Sequence, residues 1–121
     1  MSEIFTQQVS ITTSGGAGAA GGSGFVTGIQ GFLLDVYLNY HGSCPATADV
    51  QITHPTFGIV VQNDNSTTDV WLSPRKQTCD QAAADTGSYE LIPINDTLTI
   101  TVAEADALTA CLVATVRWMT P

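Results

Sequence analysis

Apolar and polar residues alternate along most of this chain. From Phe32 the even positions carry Phe32, Leu34, Val36, Leu38 and Tyr40, while the odd ones include Asp35, Tyr37, Asn39 and His41. A period of two over that length predicts a strand, since successive side chains of a strand point to opposite faces. The same pattern recurs downstream. "ADVQITH" sets Val50 and Ile52 against Gln51 and Thr53, "FGIVVQ" puts Phe57, Ile59 and Val61 on one side, and "TLTITV" puts Leu98, Ile100 and Val102 opposite three threonines. In the last segment, "ACLVATVRWM", Leu112, Ala114, Val116 and Trp118 are predicted to face inward and Thr115 and Arg117 outward. Val9 and Ile11 mark a first strand, and "DVWLS" and "YELIPI" complete the set. "NDNSTT" reads as a turn, "KQTCDQAAADTGS" as a polar loop, and "AEADALT" as a connection with one helical turn.

About eight short strands rich in Thr, Val and Ile predict an all-β fold, an antiparallel β-sandwich of jelly-roll type. At 121 residues there is room for one such domain. Its expected parts are a first strand or arm over residues 1–13, a Gly/Ala-rich linker over 14–24, and the sandwich body over 25–121. The arm is equally suited to local pairing and to leaving its own sandwich for a neighbouring subunit.

The linker contains Gly16-x-Gly18-x-x-Gly21, the spacing of a dinucleotide-binding turn, with Asp35 where a ribose-binding acid would stand. That motif needs a helix next, whose N-terminus receives the pyrophosphate. Six glycines between Gly18 and Gly31 make a helix there untenable, each costing about 1 kcal/mol relative to Ala. Nucleotide binding is therefore not expected.

Composition narrows the partners. Apolar residues make up 44% of the chain and charged ones only 12%, and three basic residues, Arg75, Lys76 and Arg117, face eleven carboxylates for a net charge of −8. Nucleic acid and membrane surfaces are poor partners for such a chain. "MSEIFTQQVS" has neither the basic start nor the apolar stretch of a signal peptide, which leads to the expectation of synthesis in a cytoplasm. Three widely spaced cysteines, Cys44, Cys79 and Cys111, are then expected to be unpaired thiols.

Neither catalysis, a cofactor nor a metal is expected. His41, Cys44, His54 and Cys79 lack the paired close spacing of zinc ligands. "NDNSTTD" lacks the central Gly and bidentate Glu of an EF-hand loop, and no Gly-x-Ser-x-Gly or comparable nucleophile setting occurs. "WLSPR" carries more. Pro74 ends its strand and brings Trp71, Arg75 and Lys76 to one end of the body, with two of the three positive charges. Trp71 either caps the core while Arg75 pairs with local acids, or the group forms a partner contact, for which Trp and Arg are favoured. Ile4 and Phe5 in the arm are the other candidate contacts.

The segments "YHGSCPATADVQIT", "DVWLSPR", "YELIPINDTLTITVAEAD" and "ATVRW" together resemble the small head decoration, or cement, proteins of tailed phages. The resemblance covers roughly residues 29–118 and rests on Asp-Val-x-Ile, an aromatic strand ending in Pro-Arg, Ile-Pro-Ile before a Thr-rich strand, and a final Trp. It implies a protein that binds the major capsid protein on the outside of a virion and stabilises the shell, working as a homo-oligomer, a trimer before a dimer. It implies no catalytic or cofactor residues. The rival reading is a carbohydrate-binding β-sandwich module of a phage fibre or secreted protein, in which Trp71, Tyr37 and Tyr40 stack on sugars and "NDNSTTD" holds calcium.

Overall fold

The computed structural model describes residues 3–79, 81, 82 and 84–121, without the side chains of Thr78, Cys79 and Asp85. The described residues form eight strands and no helix: β1 (Ile4–Ile11), β2 (Ala20–Tyr40), β3 (Asp49–His54), β4 (Gly58–Asn63), β5 (Val70–Leu72), β6 (Arg75–Cys79), β7 (Asp85–Ala105) and β8 (Leu112–Met119). All neighbours are antiparallel, in one sheet of order β1-β8-β2-β7-β3-β4, with β5 added to β2 and β6 to β7. The all-β prediction holds.

The sheet has one core because β2 is shared. Its first part pairs with β7 from Ala20 to Leu33, its last part pairs with β8 from Phe32 to Tyr40, and only Phe32 and Leu33 have both neighbours. The strand changes course just before that point. One extra residue is accommodated between Val26 and Ile29, where Gly28 has φ 72°, and Gly31 follows with φ 147°. Such angles suit glycine and strain any residue with a Cβ. At Gly31 the Met119 carbonyl also occupies the place a Cβ would take. Beyond the bend the inner faces of both parts supply a single buried cluster, including Val26, Ile29, Leu98 and Ile100 from one and Val36, Leu38, Leu112 and Val116 from the other.

The Gly/Ala segment is not a linker. Strand β2 begins at Ala20, which is fully buried, and Ser14 and Gly21 exchange backbone hydrogen bonds of 3.0 Å. The turn between β1 and β2 is anchored as well, since Gly18 N donates to Asp106 Oδ1 at 2.9 Å and buried Thr13 donates through Oγ1 to Asp106 O at 2.6 Å. The glycines serve close approach. A Cβ on Gly22 would lie 2.5 Å from Thr12 O, and one on Gly24 would lie 2.5 Å from Val9 Cγ1, so β1 passes directly against this part of β2. Within the chain, β1 pairs along its whole length with β8.

The inward residues of β3, β7 and β8 follow the predicted phase: Val50, Ile52, Leu98, Ile100, Val102, Leu112, Ala114 and Val116 are buried. Two bulges alter it elsewhere. A register shift between Leu33 and Asp35 buries Leu33 and leaves Phe32 and Leu34 half-exposed, the reverse of the simple alternation. A second, opposite Ile52 and Thr53, keeps Val61 in the core but leaves Ile59 exposed, with Phe57 in the preceding turn also exposed. The polar loop after Pro74 contains β6 and the start of β7, and residues 106–109 form no helical turn. "YELIPI" and "TLTITV" are one strand, β7, continuous through Asp96 at φ 86°.

Cys44 and Cys111 are buried free thiols, as expected, while the Cys79 thiol lies outside the described residues. Burial pushes the Cys44 thiol up to about 12, and the contact with Cys111 adds to the rise. Burial also raises the Tyr40 phenol, against the lowering effect of its hydrogen bond with Asn63.

Two predictions follow from these contacts. Gly31→Ala is expected to cost about 2–4 kcal/mol in urea unfolding, by strain at positive φ plus collision with Met119 O. Gly16→Ala, with nothing near its Cβ, is expected to stay within about 1 kcal/mol of the parent; similar losses at both sites would contradict the bend. For Cys44 and Tyr40 the folded-state values lie above the unfolded ones, so their neutral forms support the fold fully below the unfolded values. That support is lost as pH rises through the folded values. The thermal midpoint should therefore fall from about pH 9 upward, and in Cys44→Ala the fall should begin roughly one unit later. A midpoint level to pH 11 in the parent protein would contradict this.

Candidate functional site

The outer face of β2, β5 and β8 is built by cross-strand register. Tyr37 on β2 stands opposite Trp71 on β5 and Thr115 on β8, and Asp35 stands opposite Arg117. Each side chain points outward because its neighbours along the strand, Val36, Leu38, Val116 and Trp118, point into the core.

Trp71 is 54% exposed and does not cap the core. Its ring rests on Tyr37, with centroids 4.7 Å apart and planes tilted by 32°, and the Arg117 guanidinium carbon lies 5.3 Å from its centroid. These are the distances of an aromatic pair and a cation–π contact. Arg117 is held in turn by Asp35: Nε donates to Oδ1 at 2.7 Å and Nη2 to Oδ2, a two-pronged pair. Hydrogen bonding to Asp35 and its charge raise the Arg117 guanidinium further above its ordinary value. The result is an indole fixed in orientation yet open to solvent. A side chain already ordered in the free protein loses little entropy on binding, which favours such a group as an anchor.

The remaining sequence candidates lie elsewhere. Arg75 Nη1 donates to the carbonyls of Leu34 at 2.9 Å and Pro74 at 2.7 Å, so it ties the start of β6 to β2. Lys76 pairs with Glu90 at 2.9 Å across the β6–β7 ribbon, both half-exposed. Arg75 and Lys76 also border a cavity of about 290 Å³ with Phe57, Ile59, Val60 and Ile92. Ile4 and Phe5 begin β1, where Phe5 stacks on Trp118 at 5.8 Å, on an edge strand of the sheet. The five candidates therefore form three separate groups.

Tyr40 does not belong to the aromatic surface. It is buried, and its hydroxyl accepts a 2.8 Å hydrogen bond from Asn63 Nδ2. The "NDNSTTD" carboxylates are engaged locally: Asp64 accepts from Gln62 Nε2 at 2.8 Å, and Asp69 Oδ1 accepts from Tyr40 N at 2.8 Å. Among the described residues no three His, Cys, Asp or Glu side chains are grouped to hold a metal ion. His54 is buried, with Nδ1 accepting from Thr56 N at 3.0 Å and Nε2 donating to Asn95 O at 2.8 Å, which secures the β3–β4 turn against β7.

Motif reading considered Asp35 only as a ribose-binding acid and did not join it to Arg117. The available signal was their opposite charge on outward positions of two strands, but nothing in the order of residues pairs β2 with β8.

The fold and this face define an all-β domain presenting one ordered aromatic and charged cluster. No protein-family model and no curated protein matches the chain. Among solved structures it is similar to the CBM36-1 domain of a multidomain xylanase from the hindgut metagenome of Trinervitermes trinervoides, at 12% identity and a TM-score of 0.37, covering 97% of this chain and 94% of that one. It is similar to the same degree to the extra small virus VLP of the giant freshwater prawn Macrobrachium rosenbergii, at 13% identity and a TM-score of 0.36, covering 98% and 78%. At these scores neither structure informs what this chain binds.

Removing Arg117 should free the indole without unfolding the sheet. In Arg117→Ala the fluorescence anisotropy decay attributable to Trp71, read against a Trp71→Phe reference, should show faster local motion while the β-type circular dichroism is retained. An unchanged decay would mean that Arg117 does not order Trp71.

Proposed function

We propose that the protein is a non-enzymatic decoration domain that attaches to the outside of a tailed-phage head, contacts the major capsid protein through the Trp71 face, and stabilises the shell. One observation supports this reading above others. Two of the segments that carry the virion-protein resemblance, "DVWLSPR" and "ATVRW", are far apart in sequence, yet Trp71 and Arg117 from them meet in one exposed cluster. Residues shared with a group of binding proteins are most informative where they serve no core. Trp71 is such a residue.

A subunit of this size offers area for only a modest interface, so useful attachment calls for several subunits bound together. The assembly proposed is a trimer. The strand order ends at β1 and β4, and closed symmetry lets an open edge of one subunit meet that of the next. Ile4 and Phe5 are exposed at the start of β1 and available to such a contact.

A carbohydrate-binding reading has one observation in its favour: the Trp71 ring is exposed and stands in one cluster with Tyr37 and the Arg117–Asp35 pair, an aromatic surface next to hydrogen-bonding groups. Tyr40 takes no part in it.

The test mixes the purified protein with heads lacking it. Saturable, symmetric decoration is expected, together with a higher temperature of DNA release, because a ligand that binds only the intact shell stabilises it by mass action. Trp71→Ala should weaken attachment by about 30-fold or more, the loss of a hot-spot residue. Binding to a glycan array with none to heads would replace the capsid reading with the carbohydrate one.

A further inference from the structure

The turn that follows β2 and the turn that precedes β8 each carry a cysteine with no part in the binding face. Cys44 and Cys111 are 67 residues apart in sequence, and their sulfurs are 3.6 Å apart in the core. The backbone around them is tied together as well. His41 N donates to Cys111 O at 2.9 Å, and Cys44 N donates to His41 O at 2.9 Å, so one short turn grips both residues. Ala48, where a second turn from Pro45 enters β3, is fully buried and accepts a 3.2 Å hydrogen bond from Ser66 N.

Two thiols already in contact need only a small movement to be joined. A disulfide has its sulfurs about 2.05 Å apart, and rotation about the Cα–Cβ bonds brings touching sulfurs that close where the backbone spacing suits. We propose that Cys44 and Cys111 are a closable redox pair, converted by a small-molecule disulfide into an intramolecular disulfide that staples the start of β8 to the end of β2.

The chemistry balances in two exchanges. The thiolate of one cysteine attacks a sulfur of the small disulfide RSSR, forming a mixed disulfide and expelling RS⁻. The second cysteine, as its thiolate, attacks the protein sulfur of the mixed disulfide and expels the other RS⁻. The two protein thiols are oxidised by two electrons, RSSR is reduced to two RSH, and the two protons lost by the cysteines end on the departing thiols.

Burial keeps the pair in reserve. With its thiol held up to about 12, Cys44 has almost no thiolate near neutral pH, so exchange in the folded protein is slow and a reducing cytoplasm leaves the pair open. Once the protein is in an oxidising medium the staple closes a long loop, which disfavours the unfolded chain far more than the folded one. The inference is independent of the capsid reading.

The test uses Cys79→Ser protein, so that only the two core cysteines remain. Reduced protein is incubated with oxidised glutathione at pH 8, quenched in acid, alkylated in denaturant without reductant, and weighed intact. The expected product has lost about 2 Da, the two thiol hydrogens, and takes up no alkyl group. Its thermal midpoint should rise by about 10 °C and return on reduction. Cys44→Ala and Cys111→Ala, each made in the same background, should show no such rise. The mass reading replaces neither core cysteine, so it stands even where those variants do not fold. Two alkylated sites persisting after exhaustive oxidation, a stable glutathione adduct in place of the 2 Da loss, or covalent dimers as the sole product would overturn the proposal.

Discussion

The close approach of the Met119 carbonyl to Gly31 is the constraint on which the rest of the molecule depends. Strand β2 must serve β7 on one part of its length and β8 on the next, and a straight strand would lay all eight strands in one twisted layer with an uncovered apolar face. Bending at Gly28 to Gly31 turns the two parts toward each other, so the residues of β7 and β8 that alternate inward fill the same core. The bend demands backbone angles and a proximity that only glycine tolerates. A second pair of glycines, Gly22 and Gly24, then lets β1 lie against the first part of β2, with Val9 and Ile11 filling the space that side chains would otherwise take.

This architecture orders the outward face of β2, β5 and β8 at little cost. Asp35 and Tyr37 alternate with the buried Val36 and Leu38, and Arg117 lies between the buried Val116 and Trp118, so the outward side chains inherit the order of the core beneath them. Trp71 comes from a strand of only three residues, and it is fixed by the side chains it lies on more than by its own backbone pairing. The ion pair between Asp35 and Arg117 therefore acts chiefly by position. A surface pair contributes little to stability, but it places a planar cation against an indole and holds both still.

The Cys44–Cys111 contact belongs to the same framework on its inner side. It joins the end of β2 to the beginning of β8, the two strands whose pairing carries the Trp71 face. Covalent closure there would reinforce the strand pair without touching an outward residue, which separates its effect on stability from any effect on binding.

Alternation by itself determined that this chain is all-β and named the inward residues of β3, β7 and β8, because a period of two is a local property and burial selects it directly. It also excluded a nucleotide-binding helix, since too many glycines stand where one would have to form. It misjudged the glycines' purpose. Flexibility and close packing favour the same residue, and only the position of Val9, Thr12 and Met119 in space shows that these glycines serve the second. The two bulges that bury Leu33 and expose Ile59 were hidden for a related reason: an extra residue in one strand is defined by its partner, and the partner is chosen by the fold. Trp71 was legible as an exposed candidate, but its support was not. Tyr37, Trp71 and Arg117 meet through pairings of β2 with β5 and β8 across long stretches of chain, and such contacts exist only once the whole sheet has closed.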